Sequence, residues 1–238
     1  MITGGSRGLG KELASLLASE GSQIVICSRN KKELKKVCEE ITSRSGRCEY
    51  FVADVTNGSQ VDKLIKSVLK KYGRIDVLIN NAGYVNKWKG VEKITLGEFE
   101  DCLKTNVYSV FYFLRTIAPI MRKQNQGAII TISSMAGKRA VPNLSAYSAS
   151  KFAAIGLTQS VAKELKGTNV FCISVCPGGM KTGMREKVFG PEAAHKQQDP
   201  KFVASIIRDI LIDNVKVPHG GDIVIRYGKI AAINQPPE

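Results

Sequence analysis

Thr3-Gly4-Gly5-Ser6-Arg7-Gly8-Leu9-Gly10 stands directly ahead of Leu13, Leu16 and Leu17, three apolar residues at helical spacing. Glycines at this density permit a tight turn and a close backbone approach. The N-terminus of the helix that follows presents unpaired N–H groups and the positive end of its dipole. Such a turn between a strand and a helix is where a dinucleotide's pyrophosphate binds, here against Gly4, Ser6, Arg7, Gly8, Leu9 and Gly10. Only Met1, Ile2 and Thr3 precede Gly4. The expectation is therefore either a very short first strand or, preferred on the sequence, residues upstream of Met1.

Working outward, short β-branched runs alternate with longer segments of helical period. The runs are Ile24-Val25-Ile26, Tyr50-Phe51-Val52, Val77-Leu78-Ile79, Ala128 to Ile132, Val170 to Val175 and Asp222 to Ile225. Helices are expected near 9–20, 30–45, 58–72, 95–124, 145–166 and 200–213, with Pro119 kinking the fourth or ending it early. This alternation predicts an α/β fold: a three-layer, Rossmann-type doubly wound parallel sheet forming a single domain over 1–238. Gly183, Gly190 and Pro191 interrupt the weak periodicity of 178–200. That stretch reads as a long connection, and 183–200 as a substrate lid loop or a surface loop.

Composition narrows the function classes. The formal net charge of +14 attracts anions, which include a phosphorylated cofactor, an acidic carrier protein, nucleic acid and a membrane surface. Lys31, Lys32, Lys35 and Lys36 surround Leu34, Val37 and Ile41 at helical spacing, which describes a solvated helix face. No nucleic-acid motif accompanies the charge, and no specific nucleic-acid partner is expected. Six scattered cysteines and two histidines, His195 and His219, offer neither a metal-ligand spacing nor a histidine-based nucleophilic site. No metal is expected. The start has no secretory signal and no run is long enough to span a membrane, so the expectation is a soluble cytoplasmic protein.

The strand Ile24-Val25-Ile26 is followed by Cys27-Ser28-Arg29-Asn30, where a dinucleotide's 2′ substituent is read. An acidic residue there bonds the free ribose hydroxyls of NAD, whereas arginine suits the 2′-phosphate of NADP. Arg29, with Arg7 in the turn, favours NADP(H) over NAD(H). Tyr147 and Lys151 are one helical turn apart and share a face. An ammonium beside a phenol favours the phenolate and lowers its pKa, which makes the pair a tuned acid/base. Ser133-Ser134 end the strand Ile129 to Ile132, and Asn80-Asn81-Ala82-Gly83 end another on the same edge, with Asn106 on a helix facing that region.

Taken in order, the glycine turn, Asp54, Asn80-Asn81-Ala82-Gly83, Asn106, Ser134, Tyr147, Lys151 and Pro177-Gly178-Gly179-Met180-Lys181-Thr182 resemble the short-chain dehydrogenase/reductase family over almost the whole chain. The resemblance implies that Tyr147 protonates a carbonyl oxygen while hydride arrives from a nicotinamide, and that Ser134 donates a hydrogen bond to that oxygen. Lys151 would bind the nicotinamide ribose and Asn106 would hold a relay water. Asp54 and Val55 would meet adenine, Asn81, Ala82 and Gly83 the adenosine ribose region, and Pro177, Gly178 and Thr182 the nicotinamide end.

Within the family the chain is most similar to 3-oxoacyl-[acyl-carrier-protein] reductases, so an acyl-carrier-linked carbonyl is one expected substrate. It departs from them by placing Gly220-Gly221 before its last apolar run, Asp222 to Ile225. A small sugar, polyol or steroid alcohol is the alternative substrate, and a non-catalytic NADP(H) sensor the alternative role. The resemblance also implies a homodimer or homotetramer through the helices carrying Asn106 and Tyr147.

Overall fold

The computed structural model describes residues 1–237. Its strands are β1 (Ile2–Thr3), β2 (Gln23–Ser28), β3 (Arg47–Val52), β4 (Val77–Asn80), β5 (Gly127–Ile132), β6 (Val170–Pro177), β7 (Asp222–Arg226) and β8 (Lys229–Asn234). They form one sheet in the order β3-β2-β1-β4-β5-β6-β7-β8, parallel except for the antiparallel β7–β8 pair. The helices are α1 (Gly8–Ser19), α2 (Lys31–Thr42), α3 (Gly58–Tyr72), α4 (Leu96–Leu103), α5 (Ser109–Gln124), α6 (Ser145–Glu164), α7 (Gly183–Phe189), α8 (Pro191–His195) and α9 (Pro200–Leu211).

The period-two alternation of the strands sorts the core into two layers. Ile24, Ile26, Ile130, Ile173 and Ile223 pack with Leu13 and Leu17 of α1, Leu34 of α2 and Ile207 of α9. Their neighbours Val25, Cys27, Leu78, Ile129 and Cys172 face the other way, onto Leu64 and Ile65 of α3 and Phe113 and Ile117 of α5. Helices on both faces of a mostly parallel sheet make the expected three-layer, doubly wound architecture. Chain direction reverses its course across the sheet between β1 and β4, which opens a crevice above the strand ends at that switch point.

Local signals explain where the helices begin. Asn30 accepts from the Glu33 N–H and Asn57 from the Gln60 N–H, capping α2 and α3, and Thr95 with Glu98 forms a capping box on α4. The single helix expected over 95–124 is instead α4, a π-helical turn at Lys104–Tyr108, and α5. Pro119 does not end it, since α5 continues to Gln124. One missing N–H is outweighed by the buried stripe of Phe113, Leu114, Ile117, Ala118 and Met121.

Two other features differ from the sequence reading. The 183–200 segment carries two short helices, α7 and α8, parted by Gly190 at φ +83° and restarted by Pro191 at the first turn of α8. Strand β8 was not expected. The first strand is two residues long, the shorter of the two readings left open by the sequence, and the Met1 nitrogen donates to the Val77 carbonyl at 2.8 Å. Met1, Gln23, Val25 and Val77 border a cavity of about 720 Å³ under this end of the sheet. No helix among the described residues is long and apolar enough to cross a membrane.

Candidate active site

At the switch point the glycine turn is tied to the end of β4 from both sides. The Thr3 hydroxyl accepts the Asn81 and Ala82 backbone N–H groups, each at 2.9 Å, and the Asn81 amide donates back to the Thr3 carbonyl at 2.8 Å. Gly4 sits at φ +65°, a backbone conformation that favours glycine. A Cβ on Gly10 would stand 2.5 Å from the Gly4 carbonyl oxygen, so only glycine lets α1 start this close to the turn. No side chain caps α1, and its first turn holds no acidic residue. Its N-terminal N–H groups are therefore left for an anion.

That turn walls a cavity of about 560 Å³ which runs from Arg29 and Asp54 to Tyr147 and Lys151. Of the residues expected to hold a cofactor, Gly4, Ser6, Arg7, Leu9, Arg29, Asp54, Val55, Asn81, Ala82, Gly83, Tyr147, Lys151 and Thr182 line it. Gly8, Gly10, Pro177 and Gly178 lie behind the lining and shape it: a Cβ on Gly8 would sit 3.5 Å from the Thr182 side chain, and the Gly178 N–H bonds the Ile225 carbonyl at 2.8 Å. Neither Arg7 nor Arg29 has a carboxylate within salt-bridge distance among the described residues. Asp54 spends one carboxylate oxygen on the Thr56 N–H and hydroxyl, at 2.9 and 2.8 Å.

The other end of the cavity is built from β5 and α6. Lys151, 5 % exposed, donates to the Ile132 carbonyl at 2.9 Å, and its Nζ lies 5.8 Å from the Tyr147 ring centroid. Ser133 donates to the Lys151 carbonyl at 2.9 Å, so the end of β5 clamps the helix at this residue. Ser134 begins the next turn by accepting the Ala136 N–H at 3.1 Å. Burial raises the Tyr147 phenol above its ordinary value, opposed by a hydrogen bond from Ser134. The phenol thus stands above its ordinary value and not below it, because burial outweighs the Ser134 hydrogen bond. Burial also pushes Lys151 down to about 8.

Asn106 sits in the π-helical turn, 1 % exposed. Its amide oxygen accepts the Tyr84 N–H at 2.8 Å, and its nitrogen donates to the Tyr84 carbonyl and the Ser150 hydroxyl, both at 2.8 Å. The side chain thus ties the β4–α4 connection to α6. Sequence reasoning missed Ser150 and Tyr84 here, and also Glu33, which lines the cavity and accepts from the Ser6 hydroxyl at 3.0 Å. Glu33 was detectable as the N3 residue of an Asn-capped helix beside Arg29. Among the described residues no cluster of metal-ligating side chains occurs.

Comparison with known proteins agrees with this geometry. The chain is 36 % identical over 221 residues to a 3-oxoacyl-[acyl-carrier-protein] reductase of Synechocystis sp., which covers 90 % of this chain and 88 % of that one. An NADPH-dependent pterin aldehyde reductase of Arabidopsis thaliana is 31 % identical over 226 residues, covering 94 % and 92 %. The crystal structure of levodione reductase superposes with a TM-score of 0.89 at 27 % identity, covering 95 % of each chain. A family model described as short chain dehydrogenase matches residues 1–193. That match begins ahead of the glycine turn and runs past Thr182, so every residue walling the cavity falls inside it, and the chain belongs to the short-chain dehydrogenase/reductase family.

Proposed function

We propose that this protein is an NADP(H)-dependent oxidoreductase that interconverts a carbonyl and a secondary alcohol, with an acyl-carrier-linked 3-oxoacyl thioester as its leading substrate. The observation that carries the reading is one cavity joining the uncapped N-terminus of α1, the unpaired Arg7 and Arg29, and the Tyr147–Lys151 pair. The fit to a dinucleotide rests on the cradle that a Cβ at Gly10 would fill and on two guanidinium groups available to a 2′-phosphate. Bound there, a nicotinamide supplies the hydride.

The chain's own residues supply the rest. Gly4, Ser6, Gly8, Leu9 and Gly10 hold the pyrophosphate at the helix N-terminus, and Asp54, Val55, Asn81, Ala82 and Gly83 hold the adenosine. Pro177, Gly178 and Thr182 hold the nicotinamide end. Tyr147 gives its proton to the carbonyl oxygen as negative charge develops there, and Ser134 stabilises the same oxygen by donating a hydrogen bond. Lys151 keeps an ammonium against the ribose, and Asn106 orients a water behind it. The α7–α8 segment closes over the substrate. The protein acts as a homodimer or homotetramer, and in the cytoplasm, where six cysteines without a disulfide are at home. A sugar, polyol or steroid alcohol is the alternative substrate, favoured by a 3β-hydroxysteroid dehydrogenase among the relatives.

The test follows NADPH and NADH oxidation by absorbance with an acetoacetyl thioester and a panel of ketones and sugars. NADPH-selective turnover of the thioester is expected. Turnover of other carbonyls alone keeps the chemistry and replaces the substrate, and cofactor binding without any turnover turns the protein into a sensor.

A further inference from the structure

Beyond the cofactor wall formed by Thr182, Gly183 and Met184, α7 turns Arg185 into an unusual setting. Its guanidinium carbon lies 4.4 Å from the Phe189 ring centroid, and an ideal Cβ on Gly179 would meet both that carbon, at 3.0 Å, and the Gln197 side chain. Phe189 in turn packs edgewise on Trp88, with ring centroids 5.1 Å apart. Trp88 belongs to the connection between β4 and α4, which the Lys89 N–H anchors to the Asn143 carbonyl at 3.1 Å, four residues ahead of Tyr147. The Arg185–Phe189–Trp88 row therefore bridges the connection after β6 and the connection after β4, the two segments flanking the end of β5 where Ser134 stands.

Arg185 has no carboxylate within 4 Å among the described residues, and its Nε is buried without a hydrogen-bond partner. Such unpartnered side-chain atoms are few among the described residues: both polar atoms of Asn80, the Ser174 hydroxyl and this one. A half-buried cation stacked on an aromatic face has lost water at Nε without gaining a counter-ion, which costs free energy unless an anion arrives. Its surroundings repeat the sign. The segments 84–90 and 178–190 hold Lys87, Lys89, Lys181, Arg185 and Lys187 against Glu186, with Lys89 paired to Glu98 at 2.6 Å.

We infer that the carbonyl substrate carries an oxyanion, a carboxylate or a phosphate, which Arg185 binds against the Phe189–Trp88 wall. The inference rests on the reductase reading for where the carbonyl lies, but it is testable apart from it. Guanidinium pairs with both oxyanions by forked hydrogen bonds, and an apolar floor strengthens that pairing by excluding water.

Trp88 is the chain's one tryptophan, so its fluorescence reports binding at this row. Two matched pairs serve as probes: 4-oxopentanoate with its methyl ester, and dihydroxyacetone phosphate with dihydroxyacetone. In one or both pairs the charged member is expected to bind at least tenfold more tightly. Which pair discriminates names the oxyanion. Arg185→Met should remove the discrimination, leaving the neutral member and the NADPH KM within twofold, while Arg185→Lys keeps part of it. Equal binding within both pairs, no binding of any probe, or an Arg185→Met variant that weakens both members alike would overturn the inference. Turnover is read separately with the same probes and NADPH. Discrimination with no turnover of these probes, the acetoacetyl thioester or the carbonyl panel sinks the reductase reading and leaves the oxyanion site standing; turnover without discrimination does the reverse.

Discussion

The glycine turn and the α7–α8 segment face the same cleft but are held by different means. Thr3, Asn81 and Ala82 lock the turn to the centre of the sheet through three short hydrogen bonds, with Ile2, Leu9 and Leu13 buried behind it. In α7 no residue is buried, and its links to the body include the edge contact of Phe189 with Trp88 and the stacking of Arg185. A site that must bind one cofactor in one pose gains from the first arrangement. A site whose substrate differs among relatives can change the second at little cost to the fold.

Perturbing each region separately should keep these roles apart. The largest effect belongs to the reacting corner: Tyr147→Phe should lower kcat about 10³-fold, the scale of a lost general acid, while the NADPH KM stays nearly constant. A rate within tenfold of the parent would sink the mechanism.

Lys151→Met tests the stability that the site gives up. Below pH 8 both folded and unfolded chains carry this ammonium, and the cost of burying it is fully present. Between about 8 and the ordinary 10.5 only the unfolded chain holds the proton, so the cost is relieved as pH rises. The variant should therefore be more stable at pH 7 by up to about 3 kcal/mol, an advantage that shrinks towards pH 10.5 in urea unfolding curves. A difference that ignores pH would show that the ammonium is not strained.

In the turn, Thr3→Val strands two N–H donors and should cost about 2 kcal/mol in the same unfolding assay, with a raised NADPH KM. Arg29→Ala should cut the NADPH-over-NADH preference about tenfold, read as the ratio of kcat/KM values. At the loose end of the comparison, Trp88→Ala should raise the carbonyl substrate's KM about threefold, a loss smaller than one good packing contact, and leave NADPH binding and stability alone. Were it to unfold the protein, the two regions would not differ as described.

The better-anchored region was also the more legible one. The turn, the Tyr147–Lys151 spacing and the strand ends are written in contiguous residues, and local sequence carries their geometry. Tertiary effects hid the remainder. The hairpin that begins β8 turns at Tyr227 and Gly228, both at positive φ, 54° and 66°, where asparagine-glycine would have been recognised. Ala231 and Ala232 then dilute the strand signal. Helices α7 and α8 are shorter than the window in which a helical period is visible. The Arg185–Phe189–Trp88 row joins segments about a hundred positions apart, and the Tyr147 pKa direction depends on burial that no spacing reveals.

Strand β8 carries a consequence for handling rather than catalysis. It closes the sheet with an open edge, and its one charge, Lys229, stands at its first position, leaving the outward-facing backbone groups of Ile230-Ala231-Ala232-Ile233 without a strand partner and without a gatekeeper. Ile233 is 44 % exposed. When this protein is concentrated or partly denatured, that edge is where strand-to-strand aggregation is expected to begin, and a lysine or proline placed at Ala231 is the substitution that would blunt it.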